Sequence, residues 1–205
     1  MGQITSGVRA ILSSPIIYNS LQRMMGAYRS RQELVDEFIC PASGSRILDI
    51  GSGTSEILQH LPANIEYWGF DISLEYVSAA KKKYGARGHF HCGLLSESLL
   101  ADLPKFDRVL ALGVLHHLDD GQAREVFSLA HKALEDNGRM IAIDPCLADD
   151  QSVIARYLIS KDRGQNVRDA EAYATLANGS FPRVHGEIHH RRWIPYTHWI
   201  MECSK

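Results

Sequence analysis

Short apolar runs alternate with stretches of helical spacing along most of the chain. Residues 46–50 (RILDI) form a brief apolar run that leads into Gly-Ser-Gly, the pattern of a buried strand and its turn. Residues 55–61 then place Ile57, Leu58 and Leu61 at helical spacing. Residues 65–72 predict a second strand, and 74–84 a helix whose Lys81, Lys82 and Lys83 suit the negative end of its dipole. A third strand is expected over 88–92 and a fourth over 106–115. An amphipathic helix over 121–135 follows, with Asn137-Gly138 as its C-terminal stop. Residues 139–145 predict a fifth strand closed by Pro145. Strand and helix in regular succession imply a parallel sheet with helices on both faces.

Beyond residue 145 the pattern changes. Residues 149–178 read as helical but are interrupted by a polar stretch near 160–167, and two strand-like runs follow over 184–194 and 196–204. The connection at Pro195 is too short for a crossover, so these two strands are expected to run antiparallel. The first 45 residues read as a helical cap broken at Pro15. Residues 46–205 read as one domain with a helical insert at about 147–180.

Composition narrows the class. The 205 residues are 45% hydrophobic and 22% charged, ordinary values for a globular domain. No apolar run reaches the roughly 18 residues of a membrane span, and the N-terminus reads poorly as a signal peptide. Four scattered cysteines form no C-x-x-C pair, so a reducing, cytoplasmic setting is expected. The net charge of −2 is unevenly spread, with +2 over 1–46, −7 over 47–150 and +3 over 151–205. The basic flanks lack aromatic-basic interleaving, which disfavours a nucleic-acid partner.

The strongest candidate chemistry is Asp49-Ile50-Gly51-Ser52-Gly53-Thr54-Ser55, after the first strand and before a helix. Glycines there let a ligand approach the backbone closely. A dinucleotide fingerprint would need a third glycine where Glu56 stands, and that carboxylate would face a pyrophosphate. A Walker lysine is also missing. The remaining reading is a nucleoside-amino-acid site.

These residues resemble the first motif of the class I S-adenosylmethionine-dependent methyltransferases, acidic-x-Gly-x-Gly-x-Gly, with Ser55 in place of the third glycine. Asp71 ends the second strand, as the family's ribose-binding acid does. Residues 106–118, ending in Leu115-His116-His117-Leu118, are similar to the fourth-strand segment of ubiquinone/menaquinone C-methylase-like members. Leu134-x-x-x-Gly138-Arg139 fits the family's next motif, and the resemblance covers about 44–146. It implies an α/β, Rossmann-like, doubly wound, seven-stranded and mostly parallel sheet with an antiparallel last strand. S-adenosylmethionine would be the methyl donor and S-adenosylhomocysteine the product. The cofactor residues implied are Asp49, Gly51, Ser52, Gly53, Thr54, Asp71, Ile72, Gly93, Leu94 and Leu112. The family's acid after strand three is missing from Cys92-Gly93-Leu94-Leu95, which leaves adenine to backbone groups or Ser96.

His116 and His117 are candidate bases, because methylation of a protonated acceptor releases a proton and imidazole titrates near neutrality. A packing role competes, since neighbours on a continuing strand face opposite ways. Tyr18, Tyr28, Asp144, Arg156 and Arg163 are candidate substrate contacts, and Arg29, Arg31 and Arg168 are further cations near the expected site. No convincing set of metal ligands stands beside Asp144. The expected activity is in-line methyl transfer to a small molecule. The alternatives are methylation of RNA or protein, or a scaffold that binds the cofactor without turnover. Oligomeric state is not legible.

Overall fold

The computed structural model describes residues 27–161, 164–191 and 196–205, with residues 27–29 and 191 described by backbone alone. Helix α1 (Ala27–Leu34) runs into a π-turn over Val35–Ile39. Then come β1 (Arg46–Ile50), a 3-10 turn (Glu56–Gln59), β2 (Glu66–Asp71), α2 (Leu74–Tyr84), β3 (His89–Cys92) and α3 (Glu97–Leu100). Next are β4 (Phe106–Leu112), a second 3-10 turn (Leu115–His117), α4 (Asp120–Ala133) and β5 (Leu134–Leu147). Last come α5 (Val153–Ser160), β6 (Arg168–Asp169), α6 (Ala170–Asn178), β7 (Arg183–Arg191) and β8 (Tyr196–Ser204).

The strands order as β3-β2-β1-β4-β5-β8-β7, and the two-residue β6 pairs with the end of β5. β1 to β5 are parallel, and β8 runs antiparallel to both β5 and β7. The predicted seven strands and reversed last strand are therefore present, with β6 as an unforeseen eighth. Alternation along each strand splits the core into two layers. Leu48, Val109, Met140 and Met201 face one layer, while Ile47, Leu110, Ile141 and Ile200 face the other. Strand order reverses between β1 and β4, which opens a crevice at their carboxyl ends.

Local signals explain the helices that frame this crevice. Ser73 caps α2 by accepting from Tyr76 N, and Asp119 and Gln122 form a reciprocal capping box on α4. Three boundaries differ from the sequence reading. The first is α4, which stops at Ala133 rather than at Asn137-Gly138, because Leu134 already pairs with Phe106. Gly138 serves packing instead: a Cβ there would lie 2.8 Å from Leu134 Cδ2 and 2.9 Å from the Phe106 carbonyl oxygen. The second is β4, which ends at Leu112 because Gly113 turns the chain with φ +72°. The third is the helical run expected over 55–61, which shortens to the 3-10 turn. Among the described residues no helix is long and apolar enough to cross a membrane.

Candidate active site

The crevice holds a cleft of about 470 Å³. Its floor is the turn after β1, which the sequence bends by left-handed backbone at Gly51 (φ +71°), Gly53 (φ +54°) and Ser55 (φ +55°). Ser55 pays for this geometry, since a non-glycine residue there costs about 1–2 kcal/mol. Gly51 and Ser52 both donate their N–H to the Phe70 carbonyl, at 2.8 and 2.9 Å. Asp71 completes the tie: Oδ2 accepts from Gly53 N and Oδ1 from Ser73 N, each at 2.8 Å. One carboxylate thus joins the glycine turn to the start of α2, and each oxygen keeps a second lone pair.

All ten residues expected at the cofactor line this cleft: Asp49, Gly51, Ser52, Gly53, Thr54, Asp71, Ile72, Gly93, Leu94 and Leu112. Ile72 and Leu94 are both exposed there, leaving apolar surface for a flat ring. Among the described residues the lining carries the carboxyls of Asp49, Glu56, Asp71, Glu75 and Glu125 and one arginine, Arg31. Glu56 is buried and held by Lys83 Nζ at 2.6 and 2.7 Å, at the very start of the 3-10 turn. Lys83 neutralises that carboxylate, so the acidity of the cleft rests on Asp71, Glu75 and Glu125, which favour a cation. Asp49 is buried with Oδ2 accepting from Tyr67 OH at 2.6 Å, while Oδ1 has no hydrogen-bond partner among the described residues. Burial, reinforced by the Asp71 charge, lifts its carboxyl to about 7 against the opposing Tyr67 hydrogen bond.

The two histidines part ways after β4. His117 lines the cleft. His116 is buried behind it, with Nδ1 2.6 Å from Asp144 Oδ1 and its backbone N–H donating to the same oxygen at 3.0 Å. The rings pack with centroids 4.0 Å apart. The strand does not persist here, so the objection that neighbours must face opposite ways does not apply. Burial pushes the Asp144 carboxyl up, and the His116 contacts hold it down.

Of the expected substrate contacts that the structure describes, Asp144 and Arg156, neither lines this cleft. Asp144 is spent on His116 and stands off the wall. Arg156 donates to the Ala148 carbonyl at 2.9 Å and is also off the wall. Tyr18 and Arg163 lie outside the described residues, as does the side chain of Tyr28. Sequence reasoning passed over Gln122, Glu125, Val126 and Leu129, which line the cleft from α4. Their i, i+3, i+4, i+7 spacing marks one helix face and was the available signal.

Comparison with known proteins agrees with this geometry. Residues 48–140 match the family model described as a methyltransferase domain. The structure superposes on a TehB-like S-adenosylmethionine-dependent methyltransferase from Corynebacterium glutamicum, with a TM-score of 0.60 and 17% identity over 92% of this chain and 97% of that one. The fold is that of the class I methyltransferases. A Haemonchus contortus phosphoethanolamine N-methyltransferase, solved with phosphomonomethylethanolamine and S-adenosylhomocysteine, superposes with a TM-score of 0.71 at 15% identity. That match covers 98% of this chain and 60% of the other. Among curated proteins, indole glucosinolate O-methyltransferase 5 of Arabidopsis thaliana is 25% identical over 173 residues, 78% of this chain. The chain spans less than half the length of the curated relatives it matches, 44% of that one and 22% of a Synechococcus protein 37% identical over 94 residues.

Proposed function

We propose that this domain transfers the methyl group of S-adenosylmethionine to a small-molecule acceptor. The observation that carries the reading is the acidic cleft over a glycine turn: it suits a nucleoside bearing a positive charge and repels a phosphorylated one. Asp71, already fixed by two backbone N–H groups, offers its remaining lone pairs to ribose hydroxyls. Ile72 and Leu94 offer apolar faces to adenine, and Gly93 and Leu112 its edges. The buried Asp49 oxygen and the Gly51–Thr54 turn sit where the amino-acid end would lie.

The donor supplies a methyl carbon on a positively charged sulfur, so the protein's task is alignment, exclusion of water and acceptance of a proton. His117 is the histidine the cleft offers for that proton, and His116, held by Asp144, packs behind it. A small acceptor is in keeping with the substrates for which the glucosinolate and phosphoethanolamine enzymes are named and with the resemblance to C-methylase-like members.

Calorimetric titration with S-adenosylmethionine and S-adenosylhomocysteine, on wild type and Asp71→Ala, tests the reading. Micromolar binding that the substitution weakens at least about ten-fold (about 1.4 kcal/mol) is expected. A folded wild type that binds neither compound overturns it.

A further inference from the structure

The residues that set the histidine turn come from a segment remote in sequence. Arg168, only 10% exposed, spends all five N–H groups of its guanidinium on fixed acceptors. Nη1 donates to the carbonyls of Leu115 and Asn166 at 3.1 and 2.9 Å. Nη2 donates to the Leu118 carbonyl at 2.8 Å and to Asp120 Oδ1 at 2.7 Å, and Nε reaches that same oxygen at 3.1 Å. The fork therefore grips the turn at both ends, Leu115 and Leu118, with His116 and His117 between them. Asn166 N closes the middle by donating to the His116 carbonyl at 3.0 Å. Gly164 lies so close that a Cβ there would sit 2.0 Å from His116 Cδ2.

The same segment is fastened to the strand that carries Asp144. Arg168 and Asp169 pair with Cys146 and Leu147 of β5. Beneath the guanidinium, which stands 5.7 Å from its ring, Tyr173 donates its hydroxyl to the Pro145 carbonyl at 3.1 Å. Arg168 thus ties the end of β5, through its backbone pairing, to both ends of the turn after β4, through its side chain.

We propose that Arg168 is a positioning residue: it holds the 115–118 turn against the end of β5, and so sets His117 on the cleft wall and His116 against Asp144. The functional meaning of that geometry rests on the methyl-transfer reading, but the geometry itself is tested without ligand. A lysine at this position keeps the charge and loses the planar fork, so it is expected to fail as a replacement.

The experiment compares ring-nitrogen NMR spectra of ligand-free wild type, Arg168→Ala, Arg168→Lys and Asp169→Ala, with signals assigned through His116→Gln and His117→Gln. Asp169→Ala is the structural control, since that carboxylate caps α6 through Ala172 N and touches neither histidine. In both Arg168 variants the His116 and His117 ring signals and their pH titrations should move, while in Asp169→Ala they should coincide with wild type. Should Arg168→Ala fail to fold, Arg168→Lys decides alone. Histidine signals unchanged in the folded Arg168 variants overturn the proposal, as does an equal shift in Asp169→Ala. Titration of the same wild-type sample with S-adenosylhomocysteine reports separately on the methyl-transfer reading, so failure of one leaves the other standing or falling by itself.

Discussion

Gly51→Ala separates backbone strain from steric conflict at the floor of the cleft. The new methyl would be held at φ +71°, a left-handed conformation that costs an L-residue about 1–2 kcal/mol. It would also lie 2.5 Å from Val114 Cγ2 and 3.4 Å from Cγ1. Something must shift, and overpacking of this kind costs about 1–3 kcal/mol. Together the two should lower stability by about 2–5 kcal/mol, or about 4–20 °C in Tm for a domain of this size. Val114→Ala removes both offending methyls and leaves the strain. In a double-mutant cycle followed by urea unfolding, Gly51→Ala should therefore be less damaging in the Val114→Ala background, with a coupling of about 1–2 kcal/mol. Additivity within about 0.5 kcal/mol would show that the methyl meets no wall there, and the packing of the glycine turn against the β4 loop would be refuted.

Two further outcomes follow from the charges around the cleft. In the unfolded chain Asp49 ionises near its ordinary value, whereas folded it holds its proton up to about 7. Between roughly pH 4 and 7 the folded state binds the extra proton, so this group's contribution to stability declines as pH rises through that window and is lost above it. Asp49→Asn keeps an acceptor for Tyr67 and abolishes the titration; it should exceed wild type in stability by about 2–4 kcal/mol at pH 8 and by half that or less at pH 5. Parallel stability curves from pH 5 to 8 would contradict the burial argument. His117→Gln, assayed with an acceptor found by screening, should lower turnover by about 10²-fold or more at pH 7 and leave S-adenosylhomocysteine affinity unchanged. The deficit should shrink above the acceptor's own pKa, where no base is needed, and a deficit constant across pH would remove His117 from that role.

Local chemistry made much of this protein legible from its sequence. The apolar runs at 46–50, 65–72 and 106–115 report strands because burial on both faces demands continuous apolar runs. Gly51, Gly53 and Asp71 announce a ligand turn because few residue types tolerate that backbone and few accept two N–H donors there. The stop of α4 was misread because Asn137-Gly138 offers the same letters as a C-cap. Only the pairing of Leu134 with Phe106 reveals that the glycine is there to clear a carbonyl. Where His116 and His117 point was undecidable along the chain, since a strand or a turn at 113–117 gives opposite answers. The structure has a turn there: Gly113 ends the strand, and Arg168, about fifty residues away, donates to the Leu115 carbonyl. Asp144 and Arg156 read as substrate contacts by position, whereas in the structure one oxygen of Asp144 faces His116 and Arg156 donates to the Ala148 carbonyl. Propensity and periodicity act over a few residues and are written in order. The choice of which buried polar group satisfies which depends on strands that meet only when the sheet has formed.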